Sequence, residues 1–460
     1  MGATEAVAGF ACTHGEPAPG HREAFTRAVL DTVGSALAGA GTDVDVLLRR
    51  YVMAQAGAGQ STVWATGARA PTAAAALLNG TLGHAQDWDD VSPATAMHPS
   101  VVLIPALLAV AEAVGSDGTA LVDAHDVGAA VFRAVARALP RLEHYRRGWH
   151  TTATVGRLAA VAALVRLLDL NEPEARAALG LAGSLAGGTL ANFGTMTKPL
   201  HAGLAARDAV MATALARIGF TANPDHLEAR AGFFDVFGDS TPALRDSLGA
   251  DLDTLRVHWP EDWGMKLYPA CYATHRAIDA ALELRAGLAG RPPRAVEVVV
   301  EPGGLLPLRA APPVTSTQAK FSMGYVVAAA FVRGHVQMAD FTDTAIADEK
   351  VRSVMARISA REAPSPPVGD GDWRDGFAVL CAREDDGTRT YARVDHARGS
   401  AAVPLSDAEI EAKFFEGCAI GGLDDDAAGA LRDALRALPA TADLTAIGRY
   451  LGERTCGKGT

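Results

Sequence analysis

The stretch that decides the fold is His84-Ala-Gln-Asp-Trp-Asp-Asp-Val-Ser-Pro-Ala-Thr-Ala-Met-His-Pro-Ser100, a polar loop between two apolar segments. His98 stands near its end, and Pro99 and Ser100 then open an apolar run. Both residue types suit the first turn of a helix, where backbone N–H groups need no intrahelical partner. We therefore expect His98 at the mouth of a buried helix, where the helix dipole favours an anion and a neutral imidazole. Three carboxylates precede it: Asp87, Asp89 and Asp90. A solvated acidic loop with a capping proline would show the same pattern.

The chain on both sides of this loop has the apolar spacing of helices. Asn171 followed by Glu-Pro-Glu is a helix start, with an amide cap and acids in the first turn. Almost nothing before about residue 260 indicates a strand. Helices are predicted around 25–37 and over 44–56, 71–83, 99–114, 119–139, 151–168, 171–187, 200–219 and 223–237.

The composition changes after residue 264. Strands rich in β-branched residues are predicted over 294–301, 377–383 and 390–394, with helices over 275–287, 318–333 and 348–358. Ser406 and Glu409 form a capping box that begins another helix, and two more helices are predicted to end the chain. The predicted fold is mainly α with an α+β part. Its domains are a large helical domain (1–264), a smaller α+β lid (265–400) and C-terminal helices that return to the helical domain (401–460).

Composition excludes several classes of function. The chain has 460 residues, a net charge of −11 and no cluster of basic residues, so nucleic acid and anionic membranes are excluded as partners. The longest apolar run, 101–111, is too short to span a bilayer. Five scattered cysteines without a Cys-x-x-Cys pair predict neither a disulfide framework nor a zinc site, and no signal peptide is visible. We expect a cytoplasmic protein.

Lysines and histidines recur together in loops punctuated by Gly and Pro. Lys198 lies three residues before His201, and Lys266 lies nine residues before His275. Gly148-Trp-His150 precedes an Ala-rich helix. Each of these residues alone would be a cap or a solvated side chain. Because lysine is scarce in this acidic chain, the clustering instead predicts a pocket for a carboxylate-rich ligand.

Five motifs together resemble the MmgE/PrpD family, in the family's order and over nearly the whole chain. They are the loop ending in His98-Pro-Ser, Gly148-Trp-His150, Thr197-Lys-Pro-Leu-His-Ala-Gly203, Lys266-Leu-Tyr-Pro with Thr274-His275, and Phe321-Ser-Met-Gly-Tyr325. The family includes 2-methylcitrate dehydratase, cis-aconitate decarboxylase and an iminodisuccinate epimerase. The resemblance implies a site in a cleft between a helical domain and a lid, commonly in a homodimer, with no metal or organic cofactor.

Carried over residue by residue, the resemblance implies a site around the substrate. Val91 departs from the decarboxylase branch, which usually has threonine four residues after the first Asp, and the Asp87–His98 spacing is one residue longer. Both changes disfavour cis-aconitate decarboxylation, and we expect Val91, His201 and His275 to bind substrate or support the site. The implied catalytic residues are Asp87, His98, His150, Lys198, Lys266 and Tyr325.

The predicted function is that of a cofactor-independent lyase on a small di- or tricarboxylate. Dehydration of a hydroxy-acid comes first, with decarboxylation of the cis-aconitate type or epimerisation of an iminodisuccinate-like acid as alternatives. His150 or His98 would move the proton, and Lys198 and Lys266 would clamp carboxylates. Asp87 would orient a histidine, and Tyr325 would donate to the leaving group or to a carboxylate.

Two other classes of function stay open. Asp87, Asp89 and Asp90 could hold Mg²⁺ for a metal-dependent reaction, although no second acidic motif faces them. A non-enzymatic helical binding protein would instead leave the lysine and histidine clusters dispersed in space.

Overall fold

The computed structural model describes residues 1–450, except 14, 16, 18–19, 56, 58, 96, 239–240, 290–291, 443 and 445–449. It confirms the predicted class, mainly α with an α+β part. A short hairpin, β1 (Ser61–Thr62) and β2 (Arg69–Ala70), interrupts the first helices. These helices are α1 (Ala3–Cys12), α2 (His21–Ala38), α3 (Asp43–Met53), α4 (Thr72–Ala85), α5 (Ser100–Val114), α6 (Gly118–Arg137), α7 (Arg141–Arg146), α8 (Thr151–Leu167), α9 (Glu172–Leu185), α10 (Thr197–Arg217), α11 (Phe233–Phe237) and α12 (Pro242–His258).

The smaller part follows, and two C-terminal helices come after it. Its elements are α13 (His275–Gly287), β3 (Ala295–Val300), α14 (Ser316–Ala319), α15 (Met323–Arg333), α16 (Asp343–Ala347), α17 (Glu349–Met355), β4 (Ile358–Glu362), β5 (Ala378–Arg383) and β6 (Arg389–Val394). The C-terminal helices are α18 (Asp407–Ile420) and α19 (Asp425–Ala437), and the further predicted helix falls largely outside the described residues. Short 3-10 turns lie at Leu190–Asn192, Trp259–Asp262, Tyr272–Thr274, Met338–Phe341 and Leu438–Ala440.

Local capping signals place several helix starts. Asn171 accepts from the Glu174 N–H at the start of α9, and Ser406 accepts from the Glu409 N–H at the start of α18. Pro99 is the N-cap of α5, and the Asp90 carboxylate accepts from the Ser100 N–H. A side chain that satisfies a free N–H at a helix start stabilises the helix by about 1 kcal/mol. These signals act over three or four residues, except that of Asp90, which reaches across the loop.

The predicted helix over 223–237 is wrong. Only Phe233–Phe237 is helical there. The Asn223 side chain accepts from the Asp225 N–H, and such a local bond competes with helix formation. Ala231 has a positive φ of 58°, which breaks the chain direction just before the short helix.

A continuous core joins both ends of the chain. Phe414 and Cys418 of α18 and Leu431 and Leu435 of α19 belong to the same buried cluster as the apolar residues of α1–α12. Helix α18 packs closely on α2, because a Cβ at Gly417 would lie 2.2 Å from the Gly34 carbonyl oxygen. The C-terminal helices therefore lie against the helical part.

The smaller part has its own core around a four-stranded sheet, in the order β4-β3-β5-β6. Strands β3 and β5 and strands β5 and β6 are antiparallel, whereas β3 and β4 are parallel. The sequence did not predict β4 and ran a helix to residue 358. The first residue of β4 is half-buried and the rest are exposed, so this edge strand lacks the alternation that marks a half-buried strand.

The two parts meet at the polar loop over residues 84–100. Val91 and Gly264 form an antiparallel bridge, with each N–H 2.8 Å from the other carbonyl oxygen. The Met265 N–H donates to the Gly399 carbonyl at 2.7 Å, so both ends of the predicted lid reach this loop. The boundaries after residues 264 and 400 stay predictions. No helix among the described residues has the length and apolar content needed to cross a membrane.

Candidate active site

The Asp87 carboxylate lies between two buried ammonium groups. Its Oδ1 accepts from Lys198 Nζ at 2.7 Å and from Lys266 Nζ at 2.8 Å, and Lys266 also donates to the Asp87 carbonyl at 2.9 Å. Asp87 has a positive φ of 53°, which turns the chain just after α4 and aims the carboxylate at Lys198 in the first turn of α10. The sequence thus brings together three charged side chains from three distant segments.

Burial and the lysines oppose each other at this carboxylate. Burial disfavours the ionised form, but Lys198 and Lys266, with His98 and His84, hold the pKa of Asp87 well below its usual range. Burial acts likewise on Lys266, yet Asp87 and Asp89 raise the pKa of its ammonium. Asp87 and Lys266 are therefore both ionised at neutral pH.

Asp89 holds two histidines. His84 Nδ1 lies 2.9 Å from both carboxylate oxygens, and His98 Nδ1 lies 3.0 Å from Oδ2 and 2.9 Å from the Asp90 carbonyl. Burial opposes ionisation of Asp89, but the two histidines hold its pKa well below the usual range. An ionised carboxylate only accepts hydrogen bonds, so Nδ1 of each ring carries the proton and Nε2 carries the lone pair.

A second histidine pair lies beside the first. His150 is the N-cap of α8, and its Nδ1 lies 3.1 Å from Nδ1 of His201 in α10. The His84 ring stacks 6.1 Å from that of His150 and lies 4.5 Å from that of His98. The four rings form one buried group.

Burial keeps these histidines neutral. It lowers the pKa of His84 and of His201 to about 4, and it lowers the pKa of His98, where Lys266 adds to the effect. Burial and then His201 hold the pKa of His150 well below its usual range. The helix N-termini were expected to cause these shifts. The main cause is burial, with nearby cations second.

A cavity of about 100 Å³ opens over this group, between the helical part and the smaller part. The helical side contributes His98, His150, Lys198, Phe193 and Val91. The smaller part contributes its opposite wall: Cys271, Tyr272, Arg276, Glu301, Gly303 and Asp375 among others. The cavity thus gives a small molecule access to two neutral imidazoles and one ammonium.

Most of the predicted site residues meet here. Asp87, His98, His150, Lys198 and Lys266 form one connected cluster, which also includes His201. Val91 lines the cavity, whereas Lys266 is fully buried behind Asp87 and is not part of the lining. Lys266 therefore contacts Asp87 and not the cavity.

Two predicted residues lie elsewhere. The Tyr325 hydroxyl donates to the Asp340 carbonyl, and the ring packs in the core of the smaller part, away from the cavity lining. This corrects its expected place beside the substrate, because the hydroxyl already satisfies a buried carbonyl. His275 Nε2 lies 3.2 Å from the Ala270 carbonyl, and burial lowers its pKa to about 3. His275 supports the loop after Lys266 and does not line the cavity.

Sequence reasoning missed several buried groups. His84 lies in the last turn of α4, and its spacing of five residues from Asp89 was the available signal. Lys320 donates to the carbonyls of Gln86 and Pro269, and burial lowers its pKa to about 7. Lys413 of α18 donates to the Trp88 carbonyl at 2.5 Å and to the Lys266 carbonyl at 2.9 Å. No local pattern indicated these two lysines.

The acidic loop does not form the predicted Mg²⁺ triad. The Asp90 carboxylate faces Ser100 and Trp263, and burial, with Asp31 nearby, raises its pKa to about 8. Donor atoms of His84, Asp87, Asp89 and His98 do lie within 4.8 Å of one another. Two imidazoles suit Mg²⁺ poorly, and two ammonium groups already bind Asp87. These residues do not fit the metal.

Known proteins resemble the chain over most of its length. Residues 5–245 match the MmgE/PrpD N-terminal domain, and residues 268–437 match the MmgE/PrpD C-terminal domain. The cis-aconitate decarboxylase of Homo sapiens is 30% identical over 404 residues, which cover 84% of this chain and 81% of that protein. The Mus musculus enzyme of that name is 30% identical over 402 residues, covering 84% and 80%. The Aspergillus terreus one is 28% identical over 229 residues, 46% of this chain and 45% of that protein. This chain belongs to the MmgE/PrpD family.

Proposed function

We propose that this protein is a cofactor-independent lyase that moves a proton at the carbon next to a carboxylate of a small acid. One observation carries the proposal: two neutral histidines, His98 and His150, line the same buried cavity as the Lys198 ammonium. Family membership and the similarity to cis-aconitate decarboxylases support a small carboxylate as substrate. We place dehydration of a hydroxy-acid first.

His98 is the proposed base. Its Nδ1–H is held by Asp89 and the Asp90 carbonyl, so the Nε2 lone pair is free to take a proton. When the ring becomes an imidazolium, the Asp89 carboxylate stabilises the new charge, as in other carboxylate–histidine pairs. A neutral imidazole at neutral pH is the form that this step needs.

Lys198 is the proposed electrophile. Negative charge builds on the substrate carboxylate as the proton leaves, and an ammonium in a dry cavity stabilises that charge more strongly than water does. Phe193 and Phe321 lie 5.3 and 5.1 Å from Lys198 Nζ and help to exclude water. His150, paired with His201, is the second proton-transfer group: it relays the proton that His98 has taken from carbon to the leaving hydroxyl, which departs as water.

Asp87 and Lys266 are proposed to position Lys198. Asp87 Oδ1 accepts from both ammonium groups, and Lys266 fixes the Asp87 backbone as well. This replaces the expectation that Lys266 clamps a substrate carboxylate directly.

The test is a screen of purified protein with hydroxy-acids, unsaturated acids and imino-acids, followed by NMR. We expect one of the hydroxy-acids to lose water, with solvent deuterium exchanged at the carbon next to the carboxylate. His98→Ala protein should lack this exchange. If no acid exchanges or reacts, the proposed function is wrong, and a non-enzymatic binding protein becomes the better interpretation.

Decarboxylation, which the names of the relatives favour, and epimerisation are the second candidates. Both reactions use the same acid–base pair, so the screen separates them by product. Val91 gives the cavity an apolar side chain where the decarboxylase branch usually has a threonine, which disfavours decarboxylation.

Three further expectations stay proposals. Activity should survive EDTA and dialysis, and activity restored only by Mg²⁺ or Zn²⁺ would contradict the cofactor-free reaction. We expect a homodimer, which light scattering tests. We expect a cytoplasmic location, because the five cysteines are scattered along the sequence and odd in number.

A further inference from the structure

The charged side chains that line the cavity balance each other. Among the described residues, the lining includes two basic residues, Lys198 and Arg276, and two acidic residues, the mostly buried Glu301 and the exposed Asp375. The lining histidines are neutral for the reasons given above. A cavity shaped for a highly charged anion would instead have an excess of cations, because a buried charge without a counter-ion is costly.

Both cations already have partners. Lys198 donates to Asp87 at 2.7 Å. Arg276 donates from Nε to the Asp395 carbonyl at 2.9 Å and from Nη2 to the Asp375 carbonyl at 2.7 Å, while its Nη1 lies 3.7 Å from Glu301 Oε1. A bound ligand would therefore compete with these protein groups for hydrogen bonds from Lys198 and Arg276.

The layer behind the lining is balanced as well. Asp87 and Asp89 offset Lys198 and Lys266, so that two carboxylates stand against two lysine side chains. Lys320 adds only part of a charge at neutral pH, since its pKa is lowered to about 7. A trianion in the cavity would leave much of its charge without compensation.

Glu301 stands where a ligand can reach it. It follows β3 directly, and its side chain is mostly buried in the wall opposite the histidines. Oε2 accepts from the Phe377 N–H at 3.2 Å, whereas Oε1 is too far from Arg276 for a hydrogen bond. The carboxylate keeps unused acceptor capacity, and a hydroxyl or ammonium group of a ligand would supply the donor.

We propose that Glu301 determines substrate specificity, selecting a dicarboxylate with a hydroxyl or amino donor and disfavouring a tricarboxylate. One carboxylate lies on Lys198 beside the histidines, and the donor points to Glu301. This inference rests on the proposed function and narrows its substrate class. Cis-aconitate, the acid named in the relatives, is a tricarboxylate without such a donor.

Binding measurements on the unmodified protein test the inference without depending on turnover. Calorimetry with succinate, malate, aspartate and tricarballylate separates the number of carboxylates from the presence of a donor. Malate or aspartate should bind roughly tenfold more tightly than succinate and than tricarballylate, as expected for one added hydrogen bond to a charged group. Tighter binding of tricarballylate, or no binding of any of the four acids, would overturn the inference.

Glu301→Gln should then remove the preference for the donor and improve tricarballylate binding several-fold. Glu297→Gln is the matched control: Glu297 lies on β3 four residues earlier, is exposed, and pairs with Arg361 at 2.9 Å. The control should keep the unmodified order of affinities. An unchanged order in Glu301→Gln would overturn the role of Glu301.

The two proposals fail in different ways. Turnover of a tricarboxylate in preference to every dicarboxylate would overturn this inference and leave the proposed lyase intact. Donor-dependent binding without turnover of any acid would overturn the lyase and support the specificity of the wall.

Discussion

Among the residues that the structure describes, two buried clusters of histidine and aspartate lie in the helical part, and one of them has the features of a site. In the second cluster, Asp126 accepts from Trp259 Nε1 at 2.8 Å and from Arg256 Nε at 2.6 Å. His125 lies beside it in a box of aromatic rings, and none of these side chains lines the cavity between the two parts. The cluster around Asp87 and Asp89, in contrast, opens onto that cavity.

The difference shows what buried polar groups need in order to act. Burial is the main cause that lowers the pKa of His125 to about 4, as it is for His84. A shifted histidine is therefore no sign of catalysis by itself. Access to a cavity and an ammonium beside the imidazole distinguish the first cluster, whereas His125 has neither nitrogen hydrogen-bonded among the described residues.

The largest expected effect is a loss of turnover when a histidine of the first cluster, but not of the second, is replaced. His98→Ala and His150→Ala should lower kcat about 10²- to 10⁴-fold, the usual contribution of a general acid or base, with melting temperatures near the parent's. His125→Leu is the matched control and should keep full turnover. Steady-state kinetics and thermal unfolding check both, and equal losses in all three variants would contradict the distinction between the clusters.

The next largest effect distinguishes the roles of the two lysines that donate to Asp87. Lys198→Ala and Lys266→Ala should each lower kcat/KM on the order of tenfold to a hundredfold, as for loss of a charge-assisted contact. Only Lys198→Ala should raise KM strongly, because Lys266 does not reach the cavity. Lys266→Ala should also lose about 3 kcal/mol of unfolding free energy, since a buried pair is broken. Unchanged kinetics in both variants would remove the lysines from the site.

Acid should destabilise the protein through its neutral histidines. The unfolded chain takes up protons at its histidines near pH 6.5, whereas the folded pKa values of His84, His125 and His201 are about 4. Between pH 6.5 and about 4 the unfolded state thus binds more protons than the folded state. The free energy of unfolding therefore decreases as the pH is lowered through this range. Each of these histidines contributes about 1.4 kcal/mol per pH unit to the decrease in the free energy of unfolding.

Denaturant unfolding at pH 7, 6 and 5 measures this slope. His125→Leu should reduce the slope by one histidine's share without changing turnover. An unaltered slope in this variant would mean that His125 is protonated in the folded protein.

The smallest expected effect concerns Tyr325. Tyr325→Phe loses the hydrogen bond to the Asp340 carbonyl, so about 1 kcal/mol of unfolding free energy should be lost. Turnover should not change, because the hydroxyl lies outside the cavity lining. A large loss of kcat with normal stability would restore Tyr325 to the site.

The contrast between Tyr325 and His98 also explains what the sequence could predict. His98 precedes a helix whose start is signalled by Pro99 and Ser100, so its place follows from local chemistry. The hydroxyl of Tyr325 is directed by Asp340, fifteen residues on, through a contact that no spacing rule gives. Tyr325 also lies in the first turn of its helix, so nearness to a helix start does not by itself place a side chain in the candidate site.

The fold shows the same division. Helix α13 begins and ends where it was predicted, because its apolar spacing is complete within one segment. Strand β4 was missed because its backbone pairing with β3 holds it in the sheet, whereas its mostly exposed side chains show no strand pattern. Lys320 and Lys413 donate to backbone carbonyls of remote loops. Every residue has a backbone carbonyl, so the sequence does not indicate which one a lysine will bind.

Lys413 makes completion of the candidate site depend on a residue that is synthesised late. It binds the Trp88 carbonyl across 325 residues and also pairs with the buried Asp31. On a ribosome, the N-terminal helices and the loop at Asp87 emerge long before this lysine exists, and domains usually begin to fold from the N-terminus. The nascent chain must hold Asp31 and the loop carbonyls without their cation until α18 is made. The arrangement at Asp87 is therefore among the last parts of the molecule to form.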